Sequence, residues 1–81
     1  MKIIVLNLAR TTTQHQLQAL FTAHGKVHSC TIVMDAHKGT SKGFGFVEMP
    51  DDAQAQAAIT ALHGSKVDGN KIRVKLSTQG A

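Results

Sequence analysis

Lys42-Gly43-Phe44-Gly45-Phe46-Val47-Glu48-Met49 is the stretch on which the fold turns, because its alternation sorts two phenyl rings with charged side chains. Successive side chains of a strand point to opposite faces, so Lys42, Phe44, Phe46 and Glu48 share one face and Gly43, Gly45, Val47 and Met49 the other. Burying Lys42 and Glu48 without tailored partners is costly, which assigns the phenyl face to solvent. The chain has three Phe and no Trp or Tyr. Two of its three aromatic rings are therefore expected on open surface, where a contiguous apolar patch marks a binding site. Packing those rings in a core would require inverting the whole face assignment.

Working outward, Asp35 to Ser41, containing Lys38-Gly39, reads as a hairpin loop. Before it, Val27 to Met34 is rich in β-branched residues, with Cys30, Ile32 and Met34 alternating against Thr31 and Val33, and forms a second strand. Near the N-terminus the apolar run Ile3 to Leu6, closed by the turn-prone Asn7, is a buried first strand. Thr13 and Gln16 make a capping box, and Leu17, Leu20 and Phe21 recur at helical spacing until Gly25 stops the turn. Helix one is thus expected over Gln14 to His24.

After the octamer, Pro50 lacks the N–H needed to continue the ladder. Asp51 caps helix two with Gln54 as its reciprocal partner, and Ala55, Ala58, Ile59 and Leu62 form the stripe that faces the sheet, ended by Gly64. Asp68-Gly69-Asn70 is a turn. Lys71 to Leu76 is the last strand, with Ile72, Val74 and Leu76 inward and Lys71, Arg73 and Lys75 outward. The order β-α-β-β-α-β specifies an α+β, ferredoxin-like sandwich: a four-stranded antiparallel sheet with both helices on one face and the other face bare.

At 81 residues there is room for one small domain, here residues 1–81 with a core over 2–76 and a short polar tail from Ser77 to Ala81. Hydrophobic residues at 42% and charged residues at 17% suit a globular chain rather than a disordered one. Nine Lys and Arg against five Asp and Glu leave a charge of +4, which admits a polyanionic partner without requiring one. Cys30 is the sole cysteine, so an internal disulfide and a thiolate zinc site are both excluded. A reducing, cytoplasmic setting follows, since the apolar start is too short for a signal peptide or membrane span. The polar tail and initial Met suggest a chain that is complete or nearly so.

The bare face gathers Lys2, Ile4 and Leu6, then Thr31 and Val33, then Lys42, Phe44, Phe46 and Glu48, and finally Lys71, Arg73 and Lys75. Bases stack on rings and phosphates pair with Lys and Arg, so a plate of rings edged with cations suits single-stranded nucleic acid. Arg10, in the loop after strand one, is assigned to solvent rather than to phosphate. Gly43 and Gly45 are not a phosphate loop, since no helix with the required Lys and Ser or Thr follows them; they are assigned to relieving crowding under a helix. The five histidines scatter over helix ends and loops, and neither a metal nor another cofactor is expected.

The octamer resembles the central signature of the RNA recognition motif family, matching it at seven of eight places. Met49 stands where an aromatic is usual, at a position that faces the core, and Met fills such gaps. The resemblance runs from Lys2 to Leu76 and includes a hexamer on strand one, Ile3-Ile4-Val5-Leu6-Asn7-Leu8, in which Ile4 takes the place of a second stacking ring. It implies a base on Phe46 and a sugar against Phe44; together with the plate of the bare face, the expected binding set is Ile4, Leu6, Asn7, Lys42, Phe44, Phe46, Glu48, Arg73 and Lys75. Two of the usual three aromatic contacts remain, which implies weaker binding or a narrower footprint.

Three function classes compete. A module that binds single-stranded RNA on its open sheet, as a monomer and in post-transcriptional regulation, explains why rings and cations coincide; single-stranded DNA is a possible substitute ligand. A protein-interaction variant of the fold is favoured by Ile4, Leu6, Val33 and Glu48. An enzyme resembling acylphosphatases would use Arg10 for phosphate, but no pair of acids and no nucleophile with its base stands out. RNA binding is the expectation, and RNA is preferred over DNA by resemblance alone. A lone domain of this length also resembles small bacterial members of the family.

Overall fold

A computed structural model describes residues 1–39 and 41–77, with the backbone alone at Ser41 and Lys42. Thr40 of the expected hairpin loop and the tail from 78 to 81 lie outside the described residues. The elements are β1 (Lys2–Leu6), α1 (Gln14–Thr22), β2 (Ser29–Met34), β3 (Ser41–Glu48), α2 (Asp52–Leu62), β4 (Lys66–Val67), β5 (Asn70–Lys71) and β6 (Arg73–Leu76). Four strands pair in the order β2-β3-β1-β6, every neighbour antiparallel, and β4 and β5 form a separate small hairpin. This is the ferredoxin-like α+β arrangement that the alternation of strands and helices specifies.

Local chemistry sets the helix starts. The Thr13 side chain accepts from the Gln16 N–H at 3.1 Å while the Thr13 N–H donates to Gln16 Oε1 at 2.9 Å, completing a capping box. Asp51 accepts from the Gln54 N–H at 2.9 Å, but Gln54 does not reciprocate. Its side-chain oxygen instead accepts from the Lys26 N–H at 3.0 Å, tying the turn after α1 to the first turn of α2. That tie also explains Gly25. A Cβ there would collide with the Gln54 side chain, so glycine serves a close approach rather than a left-handed helix end. Helix α1 accordingly stops at Thr22, short of His24, and its last carbonyls are taken by the N–H groups of His24 and Gly25. Gly64 after α2 does adopt the left-handed conformation, at φ +80°.

The covered face of the sheet supplies Ile3, Val5, Cys30, Ile32, Val47, Met49 and Val74, which pack with Ile72, Leu17 and Phe21 of α1, and Ala55, Ala58 and Leu62 of α2. Met49 is fully buried where the family signature has a ring. Small Ala side chains on α2 let that helix lie close to the sheet, and each large aliphatic or aromatic side chain buried here contributes about 1.5–3 kcal/mol. Cys30 lies in this core; burial pushes its thiol pKa above the ordinary thiol value, and its Sγ sits 3.7 Å from the Gln14 carbonyl oxygen.

Three expectations change. Met34 is 55% exposed rather than inward, because the β2–β3 ladder slips register between Ile32 and Met34 and breaks the alternation there. Leu76, at the end of edge strand β6, is 42% exposed. The last strand is also interrupted at Ile72, so Lys71 belongs to the small hairpin, paired with Lys66, and leaves the plate.

Candidate nucleic-acid interface

Strand register assembles the open face row by row. Phe46 pairs with Thr31 of β2 on one side and Ile4 of β1 on the other, and Ile4 pairs with Lys75 of β6. Thr31, Phe46, Ile4 and Lys75 therefore stand in one line across all four strands, on the side away from the helices. One step along, Ser29, Glu48 and Lys2 form a second row. In the other direction Leu6 pairs with Arg73, and Phe44 follows Phe46 on the same face. Both phenyl rings, Ile4 and Leu6 are half-buried, while Arg73 and Lys75 are exposed.

The rings are held as a unit. Their centroids are 6.2 Å apart and their planes nearly perpendicular at 86°, the edge-to-face packing that suits the ring quadrupole. Lys2 places its ammonium 5.1 Å from the Phe46 centroid, a cation–π contact of about 0.5–1 kcal/mol at an exposed site. Lys2 was outside the binding set expected from the sequence, although its place two residues before Ile4 on the same strand face is the signal that finds it. Glu48 accepts from the Ser29 hydroxyl at 3.0 Å, which gives the plate's one acid a partner on the neighbouring strand.

Asn7 closes β1 in the left-handed conformation at φ +61°, and its amide donates to the Lys71 carbonyl at 2.7 Å. Asn70 donates back to the Asn7 carbonyl at 3.3 Å. The turn role of Asn7 thus has a concrete form, and a ligand contact through the same side chain would compete with it. Lys42 lies in β3 by its backbone; its side chain is outside the described residues. Gly43 and Gly45 relieve crowding between strands and not beneath a helix. A Cβ on Gly45 would fall 2.5 Å from the Thr31 carbonyl oxygen, and Gly43 has φ +88° with its carbonyl accepting from the Leu8 N–H at 2.8 Å.

The sequence profile of the RNA recognition motif matches residues 3–73. The chain belongs to the RNA recognition motif family. Its members are binding modules and not enzymes. Protein RbpD of Nostoc sp. is 42% identical over 74 residues, covering 91% of this chain and 79% of its own length. The crystal structure of RNA-binding protein PG1 superimposes with a TM-score of 0.94 at 36% identity, covering 100% of this chain and 98% of the other. A Sxl-lethal protein/RNA complex gives a TM-score of 0.92 at 32% identity, over 99% of this chain and 48% of that one. Against plant chloroplast ribonucleoproteins the chain spans only 24–34% of their length. Among the described residues no helix is long and apolar enough to cross a membrane.

Proposed function

We propose that this RNA recognition motif binds single-stranded RNA on the open sheet, with one base on Phe46, a second over Ile4 and a sugar against Phe44. The observation that carries the reading is the line of Thr31, Phe46, Ile4 and Lys75 on the helix-free side, flanked by Arg73 and by the Lys2 ammonium. Lys2, Lys42, Arg73 and Lys75 neutralise phosphates. Leu6 extends the apolar floor, and Asn7 and Glu48 border it, with Glu48 offering an acceptor to base edges. The solved protein/RNA complex of similar fold supports RNA as the ligand. Single-stranded DNA shares the base faces and phosphates and is the natural competitor in any binding assay. The module acts as a monomeric single domain in the cytoplasm, in post-transcriptional regulation.

Neutralising three or four phosphates gives a slope of log K against log salt of about −2 to −3. Phe46→Ala removes one stacking surface and should cost about 1–3 kcal/mol of binding. Fluorescence titration of parent and variant with short RNA and DNA homopolymers, at two salt concentrations, tests both numbers. Equal affinity of parent and variant refutes the stacking assignment. Ile4 in a stacking place and Glu48 on the plate favour a second reading, in which the same face binds a protein; silence of the parent with every oligomer would select it.

A further inference from the structure

We propose that Glu48 selects the base that stacks on Phe46 and that the base it selects is guanine, an inference that rests on the placement of that base and of its sugar against Phe44 argued above. An acid on this face works against a polyanionic ligand, because it repels the phosphates that Arg73 and Lys75 attract. The repulsion is offset only where the ligand brings hydrogen-bond donors to the carboxylate.

Glu48 is held as an acceptor with capacity to spare. It is half-buried, and its Oε2 accepts from the Ser29 hydroxyl at 3.0 Å, which fixes the side chain from the β2 side. Lys2 stands opposite Glu48 in the β1–β3 register but sends its ammonium to the Phe46 ring, 5.1 Å from the centroid, rather than to the carboxylate. An ionised carboxylate has two oxygens and about four lone-pair sites, so one hydroxyl leaves most of them for a ligand.

Position brings a base edge to those sites. Phe44, Phe46 and Glu48 follow one another on one face of β3, about 6.5–7 Å apart at the rise of a strand. With the sugar at Phe44, the glycosidic bond of the stacked base points toward that end of the file. The Watson–Crick edge, on the far side of the base, then points toward Glu48. The sugar–phosphate chain still crosses the strands from Phe46 to Ile4, and only the base edge runs along β3. Glu48 also borders a cleft of about 220 Å³, with Met1, Lys2, His28, Met49 and Pro50, which gives the end of a purine room.

Donor patterns separate the four bases at that edge. Guanine alone sets two donors side by side, N1–H and the 2-amino group, and these match two carboxylate oxygens in a charge-assisted bidentate pair. Adenine and cytosine each place one amino group beside a ring nitrogen that accepts, and uracil flanks its single N3–H with two carbonyls. In those three a lone pair faces the carboxylate.

The test titrates the intact chain, Glu48→Gln and Phe46→Ala with labelled uridine hexamers that carry one central guanosine, inosine, adenosine or cytidine, or uridine throughout. The parent should bind the guanosine hexamer about 5- to 150-fold more tightly than the all-uridine one, the span of one bidentate base contact. Inosine lacks only the 2-amino group of guanosine and should lose most of that preference. Glu48→Gln replaces one acceptor with an amide donor, so the guanosine preference should vanish and adenosine, the usual bidentate partner of Gln, should rise relative to guanosine. A Glu48→Gln variant that binds every hexamer more tightly in the parent's base order would show an acid that only repels phosphate, overturning base selection while the platform stands. A parent that binds all hexamers equally overturns it in the same way. A parent that binds none, or a Phe46→Ala variant equal to the parent on every hexamer, overturns the platform and the selection together.

Discussion

The two sides of β3 carry the same alternation and opposite duties. Val47 and, just past the strand's end, Met49 are fully buried in the core with helix side chains, while Phe44 and Phe46, one pleat away, are half-buried on the other face. The covered side gains its energy on folding. The open side retains apolar area that only a ligand removes from water, and it does so with the larger side chains. A chain with three aromatic rings has thus kept one, Phe21, for its core and placed two on the surface. Stability and binding should consequently separate by face, and substitutions on the two sides can show whether they do.

The largest expected effect is on the covered side. Phe21 is 0% exposed, and Phe21→Ala should cost about 3–5 kcal/mol of folding free energy through lost transfer and a cavity. For a domain whose total is about 5–15 kcal/mol, that is a large fraction, visible as a sharp fall in the urea midpoint. Phe46→Ala deletes the same ring from the open side and should cost less, about 1–2.5 kcal/mol for its contacts with Phe44 and Lys2, a smaller shift of the midpoint. Similar losses for both variants would break the division between the faces.

An intermediate effect is expected where two strands crowd. Gly45→Ala puts a methyl group 2.5 Å from the Thr31 carbonyl oxygen and 3.2 Å from the Ile32 Cα, so β2 must move away from β3. Overpacking of this kind costs about 1–3 kcal/mol, and because Thr31 flanks Phe46 the strand shift should also weaken RNA binding. Amide exchange across β2 would locate the damage. Faster exchange confined to α2 would instead revive the assignment of Gly45 to helix crowding.

Gly45 also shows where legibility ends. Alternation in the octamer fixed which side the rings take, and the Thr13 and Asp51 caps and the Ala stripe were readable because each depends on neighbours within one or two turns. The contact that demands a glycine at 45 involves Thr31, which only strand pairing brings near. Gln54 illustrates the same boundary: its spacing from Asp51 signalled a reciprocal cap, but the Lys26 N–H, unknowable from local sequence, took its side chain. Lys71 falls outside the last strand because Ile72 donates its N–H to the Ser65 carbonyl and accepts from the Gly64 N–H, a long-range exchange with the turn after α2. In the site, strand-borne residues were legible and the side-chain ties of Asn7 and Asn70 were not.

The smallest expected effect sharpens the comparison from the other direction. Ile4 lies half-buried between Phe46 and Lys75 in the central row, at the place where the family's strand-one signature usually offers a second ring. Ile4→Phe adds aromatic area without entering the core, since Ile3 and Val5 on either side supply the buried surface of β1. Folding stability should stay within about 0.5 kcal/mol of the parent, as for surface changes away from caps and buried groups. Binding should tighten by about 1 kcal/mol, the low end of what stacking on a ring contributes. The gain should appear for RNA and single-stranded DNA alike, because both present the same base faces, and it should survive added salt, because stacking releases no counterions. A gain that vanished at high salt would mean that the ring had redirected a cation such as Lys75 and had not received a base. Unchanged affinity would place Ile4 off the contact surface and confine stacking to Phe46.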